Sequence, residues 1–263
     1  SDRQLSTYTK YVRTEQSVED AGLLGYVGQS GWYVHQGSFS RDQMGGFLIS
    51  PSEWLNDGAL LDSFARSVVV GDGNWSTTVA TRNIIAGLNH LWPGAALEMR
   101  SAEGGELVSG IPTDIASGRV SVTNLWKPHP YIRLYNLSRV TLPVETQRCL
   151  DDETDTVRDC DFSALPLLKI VSPRLKDSHP AVYEFVKRFT LSEFQMNELL
   201  ELAFTDVDTS ISTELQSWRS ACTFLKQGDG TWWGKWLPLK AKSIFIQRLQ
   251  VTRHSAIDRP NVV

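Results

Sequence analysis

Short apolar segments rich in β-branched residues alternate along the chain with longer segments that have helical periodicity. Segments of the first kind have the length of strands, and they lie at residues 46–49, 67–70, 120–125, 140–142 and 167–171. This alternation is typical of an α/β protein whose sheet is covered by helices on both faces. The sequence therefore predicts an α/β fold.

Four longer segments are predicted to be helices because apolar residues recur at intervals of three and four. They are residues 81–91, 178–189, 192–204 and 212–226. The last three begin with a serine, which is a good N-cap, and Pro180 stands in a first turn, where its missing N–H has no cost. Leu215, Trp218, Cys222 and Leu225 share one face of the last segment, which predicts an amphipathic helix.

The charge balance argues against nucleic acid as a partner. The 26 Lys and Arg residues are outnumbered by 30 Asp and Glu residues, and the net charge of −4 gives no basic field to attract phosphates. No apolar run reaches the ~20 residues of a membrane-spanning helix. No linker rich in Gly, Ser or Pro divides the 263 residues, so two domains would be joined by crossing strands.

Three cysteines are present, and two of them enclose an acidic loop. A Cys149–Cys160 disulfide would close this loop and indicates an oxidising compartment; two unpaired thiols in a cytosolic loop are the alternative. Cys222 is the odd cysteine, and it either pairs with a segment or chain outside this sequence or is a buried free thiol. No His stands at metal-ligand spacing from Cys149 or Cys160, so no metal site is predicted.

The common catalytic fingerprints are absent from the sequence. It contains no GxSxG elbow, phosphate-binding P-loop, HExxH or GxGxxG motif, and its five His residues are scattered. We therefore expect a protein that is not an enzyme and that needs no cofactor.

Tryptophan is abundant, with nine residues. Six lie on or beside predicted helices with apolar neighbours and are interpreted as core residues: Trp54, Trp92, Trp218, Trp232, Trp233 and Trp236. Trp32, Trp75 and Trp126 stand instead in loops punctuated by Gly or Pro, where an indole is expected to border a cleft. Because indole faces attract cations, two or three together predict a cage for a quaternary ammonium group.

The loop GDGNWSTT around Trp75 has a second property. If Thr77 and Thr78 open the following helix, the N–H groups there are free to bind an anion. The loop would then hold both the cationic and the anionic group of a zwitterion.

Several motifs in order resemble one protein family. They are GLLGYVGQSGWYV (22–34), GDGNWSTT (71–78), LWKPHPYIRLYNLSRV (125–140), CDFSALPLLKI (160–170) and the segment from HPAVYEFVKRF (179–189) to WWGKWL (232–237). Together they resemble the substrate-binding proteins of ABC transporters for glycine betaine and related compatible solutes. The resemblance implies a type II periplasmic-binding-protein fold, in which two α/β lobes joined by crossing strands close on a ligand.

By this resemblance, Trp75 and Trp126 are two walls of the aromatic cage. The backbone of Ser76 and Thr77 holds the ligand carboxylate, and Trp32 and His129 complete the candidate site. The prolines around Trp126 would then fix the loop that carries the second wall.

The predicted lobes follow the motifs, and the first lobe is incomplete. Residues 1–33 are expected to be a remnant of lobe 1 with the crossover, 34–140 lobe 2, 141–237 the C-terminal part of lobe 1, and 238–263 an extra tail. Family members carry further N-terminal residues that complete lobe 1. His35 stands where the family commonly has Pro, and the alternation of Ile244, Ile246 and Leu249 predicts a strand in the tail.

The sequence is consistent with two functions. The first is extracytoplasmic binding of a quaternary ammonium or sulfonium zwitterion for uptake through an ABC permease, and a sensor domain with the same ligand chemistry is a variant of it. The second is an extracellular assembly protein on the same fold, glycosylated at the sequons of Asn74 or Asn136. Another chain completing the first lobe, or a homo-assembly, is a further expected partner.

Overall fold

The structure is a computed structural model that describes residues 6–35, 55–56, 58–63, 65–73, 75–102, 106–143, 160–205, 210–227 and 232–238. The chain forms two compact units. Unit 1 contains Val27–Leu165 and Met196–Asp206, and unit 2 contains Arg3–Tyr26, Pro166–Gln195 and Val207–Val263. The lobe boundaries predicted from the sequence stay a prediction.

Strands and helices alternate along the described residues as far as Arg139, and the last strand is followed by helices. The strands are β1 (Glu19–His35), β2 (Ser67–Val70), β3 (Glu98–Ser101), β4 (Val122–Lys127), β5 (Leu137–Arg139) and β6 (Leu165–Val171). The helices are α1 (Gly58–Ser63), α2 (Ser76–Leu91), α3 (Glu106–Ala116), α4 (Pro130–Leu134), α5 (Leu175–Ser178), α6 (Pro180–Arg188), α7 (Glu193–Thr205) and α8 (Thr213–Leu225). A π-helical turn (Thr9–Thr14) and 3₁₀ turns (Pro93–Ala95, Trp232–Trp236) complete the set. The predicted α/β class is confirmed.

The sheet of unit 1 has the strand order β3-β2-β4-β1-β5. β2 is parallel to both β3 and β4, whereas β1 is antiparallel to β4 and β5. The buried core of this unit lies against β2, β1 and α2 and includes Trp32, Val68, Val70, Ile84 and Leu88. A second cluster, with Tyr33, Ile111, Leu125 and Leu137, lies apart from this core.

In unit 2, β6 pairs with β1, and α6 is fixed at its C-terminal end by a lysine. Lys169 Nζ donates to the carbonyls of Lys187 and Phe189 at 2.9 and 2.7 Å, so a cation meets the partial negative charge of the helix end. The ring of Trp236 lies 4.6 Å from that of Phe189, and its Nε1 donates to the carbonyl of Thr190 at 3.1 Å. Trp236 is therefore a core residue, as predicted.

The predicted strands have mixed outcomes. β2 coincides with the prediction, and β4 and β6 overlap the predicted segments 120–125 and 167–171. The segment 140–142 was wrong as a strand, because the pairing with β1 ends at Arg139, although the Val140 N–H still donates to the Trp32 carbonyl at 2.7 Å. Residues 46–49 lie outside the described residues.

Helix starts depend on caps that the periodicity does not reveal. α2 begins at Ser76, five residues before the predicted start, because Trp75 is the extended N-cap residue. Ser178 is not the cap of α6, since His179 takes that position. At α7, Ser192 Oγ accepts from the Gln195 N–H at 3.2 Å, and Gln195 Oε1 accepts from the Ser192 N–H at 2.9 Å, which is a capping box.

Helix α8 is amphipathic, as predicted, but Trp218 lies on its exposed face and not on its buried face. Ser212 caps the helix as predicted, by accepting from the Leu215 N–H at 3.2 Å. The buried residues of the helix are Gln216, Ser220 and Phe224, whereas Trp218 is 65% exposed. The interpretation of Trp218 as a core residue was wrong, because periodicity identifies a face but not the side on which the core lies.

Candidate functional site

Trp75 lies at the junction between β2 and α2. The loop that leaves β2 bends back on itself, with the Trp75 N–H donating to the Asp72 carbonyl at 3.0 Å. The Trp75 carbonyl then accepts the first helical bonds, from the N–H groups of Thr78 and Val79 at 3.0 and 3.1 Å. The indole is 43% exposed, so the N-cap residue of α2 presents an aromatic face to solvent.

The first turn of α2 offers donors next to this indole. Ser76 and Thr77 are the first two helical residues, and N–H groups at these positions have no partner within the helix. Thr78 is fully buried, and among the described residues its Oγ1 has no hydrogen-bond partner. This end of α2 therefore has the polarity and the donors to bind an anion.

Trp126 stands near the end of β4, after four buried residues, and is 38% exposed. Because β2 and β4 are parallel neighbours, their carboxyl ends lie at the same edge of the sheet. The chain positions of Trp75 and Trp126 are thereby brought together: the ring centroids are 6.1 Å apart, and the ring planes are inclined by 73°. Two exposed indoles at nearly a right angle form two adjacent walls of a box.

His129 supports the second wall from the side. It is the N-cap residue of α4, where its Nδ1 accepts from the Tyr131 N–H at 3.2 Å. Its ring centroid lies 5.1 Å from that of Trp126, in an edge-to-face arrangement at 86°. Burial lowers the pKa of His129 from 6.5 to about 4, so the ring is neutral at pH 7 and its proton resides on Nε2.

The row of rings continues beyond His129 to residues that the sequence reasoning missed. Tyr131 lies 5.2 Å from His129, and Tyr135 and Phe204 lie 4.9 and 6.2 Å from Tyr131, each edge to face. We call these six residues, from Trp75 through Trp126, His129 and Tyr131 to Tyr135 and Phe204, the aromatic ladder. The spacing of Tyr131 and Tyr135 along α4 and its C-cap was the available sequence signal. Phe204 had none.

Helix α7 is also held to α4 by charge. Arg133 Nη1 lies 3.0 Å from Glu201 Oε2, and both side chains are largely exposed. An exposed pair of this kind contributes at most about 1 kcal/mol, which is comparable to the ~0.5–1.5 kcal/mol of an edge-to-face ring pair such as Tyr131 and Phe204.

Trp32 is placed differently from the expectation. Its side chain is fully buried in the core of unit 1, and its Nε1 donates to Thr81 Oγ1 at 3.4 Å. The predicted position at the border of a cleft is wrong, because β1 is a long inner strand and SGWYV lies within it. Trp92 packs against the same core, as predicted.

Of the other residues singled out in the sequence, the structure describes some and not others. Cys149, Asn74, Trp54 and the tail strand lie outside the described residues. Cys160 is buried, whereas Cys222 is an exposed free thiol and not a buried one. Asn136 is exposed with a φ of 49°.

The described residues also lack two features. They contain no group of His, Cys, Asp and Glu that could hold a metal ion. No helix among them is long and apolar enough to cross a lipid bilayer.

Comparison with solved structures defines the class of fold. Lactococcal OpuAC in its closed form with glycine betaine matches with a TM-score of 0.55 and 15% identity, over 88% of this chain and 75% of that one. The glycine betaine, L-proline-binding protein ProX from Borrelia burgdorferi matches with 0.53 and 16%, over 91% and 77%. A choline-binding protein in complex with choline matches with 0.54 and 14%, over 89% and 70%. The fold is that of type II periplasmic binding proteins.

A family comparison agrees with the motifs that lie between residues 125 and 189. Residues 88–206 match the family described as the substrate-binding domain of ABC-type glycine betaine transport systems, a segment that includes Trp126 and His129. The resemblance drawn from the sequence is thereby confirmed. No curated protein matches the chain.

Proposed function

We propose that this chain binds a small quaternary ammonium or sulfonium zwitterion of the glycine betaine type and presents it to an ABC permease for uptake. The placement of Trp75 and Trp126, 6.1 Å apart beside the N-terminus of α2, carries the proposal. The two indole faces attract a cation that has no N–H to donate, and the N–H groups of Ser76 and Thr77 bind the carboxylate.

His129 completes the site as a neutral donor. With Nδ1 occupied by the Tyr131 N–H, Nε2–H is the group left to face a ligand oxygen. A neutral ring also avoids placing a positive charge 5.1 Å from the Trp126 indole, where a cationic ligand would be repelled. Binding of this kind involves no bond chemistry, and we propose a non-enzymatic role.

Titration of intrinsic fluorescence with glycine betaine, choline and dimethylsulfoniopropionate tests the binding function. We expect a saturable change that Trp75→Ala and Trp126→Ala each weaken by about tenfold, since a well-placed indole contributes ~0.5–2 kcal/mol. Trp218→Phe removes an exposed indole outside the aromatic ladder and should leave the affinity unchanged. Equal affinity in all three variants would contradict the cage.

We further propose an extracytoplasmic location with a Cys149–Cys160 disulfide. Cys160 is buried, and Cys222 is free and is therefore not its partner. Alkylation before and after reduction, followed by intact mass, tests this disulfide. In the oxidised monomer one thiol, that of Cys222, should react, and three thiols should react after reduction and unfolding.

The alternative, an assembly protein that carries a glycan, is favoured by one observation. Asn136, the first residue of a sequon, is exposed in a turn. The same intact-mass measurement on secreted protein separates the two proposals, because hexose on Asn74, next to Trp75, would obstruct the cage. Unmodified protein that binds solute would support the first proposal.

A further inference from the structure

Helix α8 turns apolar side chains toward solvent. Leu215 is 53% exposed, Trp218 is 65% exposed, and the thiol of Cys222 is free and exposed. The opposite side of the helix, with Gln216, Ser220 and Phe224, is the buried one. An amphipathic helix normally buries its apolar stripe, so this stripe is available to a partner.

The stripe has the spacing of a coiled-coil seam. Leu215, Trp218, Cys222 and Leu225 follow one another at intervals of three, four and three residues, which are the a, d, a and d positions of a heptad repeat. We propose that a second copy of this chain occupies the face, with the two α8 helices packed in parallel around a two-fold axis. This inference is independent of the solute-binding proposal.

The charges of Glu214 and Arg219, on either side of the seam, favour a second α8 helix in the parallel orientation. Glu214 stands at a g position and Arg219 at the following e position, five residues later. In a parallel pair, g of one helix faces the next e of the other, so the two-fold axis creates two Glu214–Arg219 pairs. An antiparallel pair would place e against e, which brings the two Arg219 side chains together. The helix is thus complementary to itself in the parallel orientation.

Cys222 occupies an a position, where the same residues of two parallel helices face each other across the axis. With glutathione disulfide as the oxidant, one Cys222 thiolate attacks it and displaces one glutathione. The Cys222 thiolate of the second copy then attacks the protein sulfur of the mixed disulfide and releases the second glutathione. The two protein thiols lose two electrons and two protons and form one disulfide. One glutathione disulfide gains them and becomes two glutathione molecules.

The contact between the two α8 helices is small, so the Cys222–Cys222 disulfide determines the lifetime of the dimer. α8 has 13 residues, fewer than two heptads, whereas stable interfaces bury roughly 1,200–2,000 Å². We therefore expect a weak dimer under reducing conditions and a covalent dimer in a glutathione buffer of oxidising composition.

A displaced thiol tests the position of the seam. Thr223 is exposed and lies one residue further around the helix, so Cys222→Ser with Thr223→Cys moves the thiol off the seam. Dimer formation is followed by intact mass and sedimentation velocity in glutathione buffers. We expect the native chain to form the dimer at least about tenfold faster than this variant, because thiols at an interface react as a pre-oriented pair.

A charge exchange tests the partner and the orientation. Arg219→Glu should slow dimerisation, and Glu214→Arg with Arg219→Glu should restore it, which a merely structural effect would not do. Urea unfolding checks that each variant is folded. Equal rates for the native and displaced thiols, no rescue by the exchange, or a Cys222 thiol that maleimide cannot reach in the native chain would each overturn the proposal.

Discussion

The ring of Trp75 lies directly over Gly71, the residue that follows β2. A Cβ added at Gly71 would come within 2.6 Å of Cζ3 of the indole, closer than side chains pack. The absence of a side chain at position 71 therefore leaves the space in which the Trp75 indole lies.

The variant Gly71→Ala should weaken solute binding about as much as Trp75→Ala does. Trp75 is partly exposed and can move, so the fold is retained while the angle between the two indoles changes. Titration calorimetry measures the affinity. Gly73→Ala is the matched control, since a Cβ at Gly73 meets no atom within 4 Å. Unchanged binding in Gly71→Ala would show that the wall position is irrelevant.

His129 should make stability depend on pH. Its pKa is about 4 in the folded protein and near 6.5 in an unfolded chain, so the unfolded state binds the proton more tightly. The contribution of neutral His129 to the free energy of unfolding is therefore complete above pH 6.5 and is lost as the pH falls toward 4. The loss is about 1 to 2 kcal/mol at pH 5.

Comparison with His129→Asn isolates this contribution. Asn retains an N-cap acceptor but does not titrate. Urea unfolding at pH 7 and pH 5 should show a smaller loss in the variant than in the native chain. An equal loss in both would mean that other groups cause the pH dependence.

The ladder residue Tyr131 should matter for binding through its ring and not through its hydroxyl. Tyr131→Phe keeps the edge-to-face contacts with His129 and Phe204, whereas Tyr131→Leu removes them. We expect a several-fold loss of affinity and a reduced near-ultraviolet circular dichroism signal only for the leucine variant, since such ring pairs contribute ~0.5–1.5 kcal/mol. Equal effects of the two substitutions would contradict a packing role.

The ion pair between Arg139 and Asp161 should be a main polar contribution to unit 1. Arg139 Nη1 and Nη2 lie 2.8 and 2.7 Å from the two carboxylate oxygens, and the side chains are only 28% and 17% exposed. Asp161→Ala leaves a poorly solvated guanidinium and should lower the free energy of unfolding by about 2–3 kcal/mol.

The exposed pair in the same unit is the control. Glu201→Gln breaks the contact with Arg133 and should cost less than about 1 kcal/mol. Thermal and urea unfolding of the two variants measure the difference. A cost for Asp161→Ala as small as that for Glu201→Gln would mean that water replaces the lost carboxylate.

The fold class followed from the sequence, and so did two candidate residues that the structure places side by side. Alternating β-branched and amphipathic segments indicated the sheet, and the Gly- and Pro-bounded loops of Trp75 and Trp126 marked residues that the structure brings together. Trp32 could not be assigned correctly, because its burial depends on β1 having neighbours on both sides. That pairing joins residues about a hundred positions apart, such as Ser30 and Trp126, and no local pattern contains it.

The other differences have the same origin. Periodicity showed an apolar face on α8, but the position of the core is a tertiary property, and Trp218 faces solvent. Phe204 joins the aromatic ladder only because the end of α7 packs near Tyr131. Local patterns thus predict which elements form, whereas contacts between distant elements decide which side chains meet.

The parallel pairing of β2 and β4 makes the positions of Trp75 and Trp126 depend on one another. Val68 faces Val122 and Val69 faces Thr123 in the register that holds Trp75 beside Trp126. A solute bound by both indoles would dissociate when β2 and β4 separated. Bound solute would therefore stabilise the pairing of these two strands. This stabilisation would slow hydrogen exchange at the backbone amides of β2 and β4, including amides that do not contact the solute.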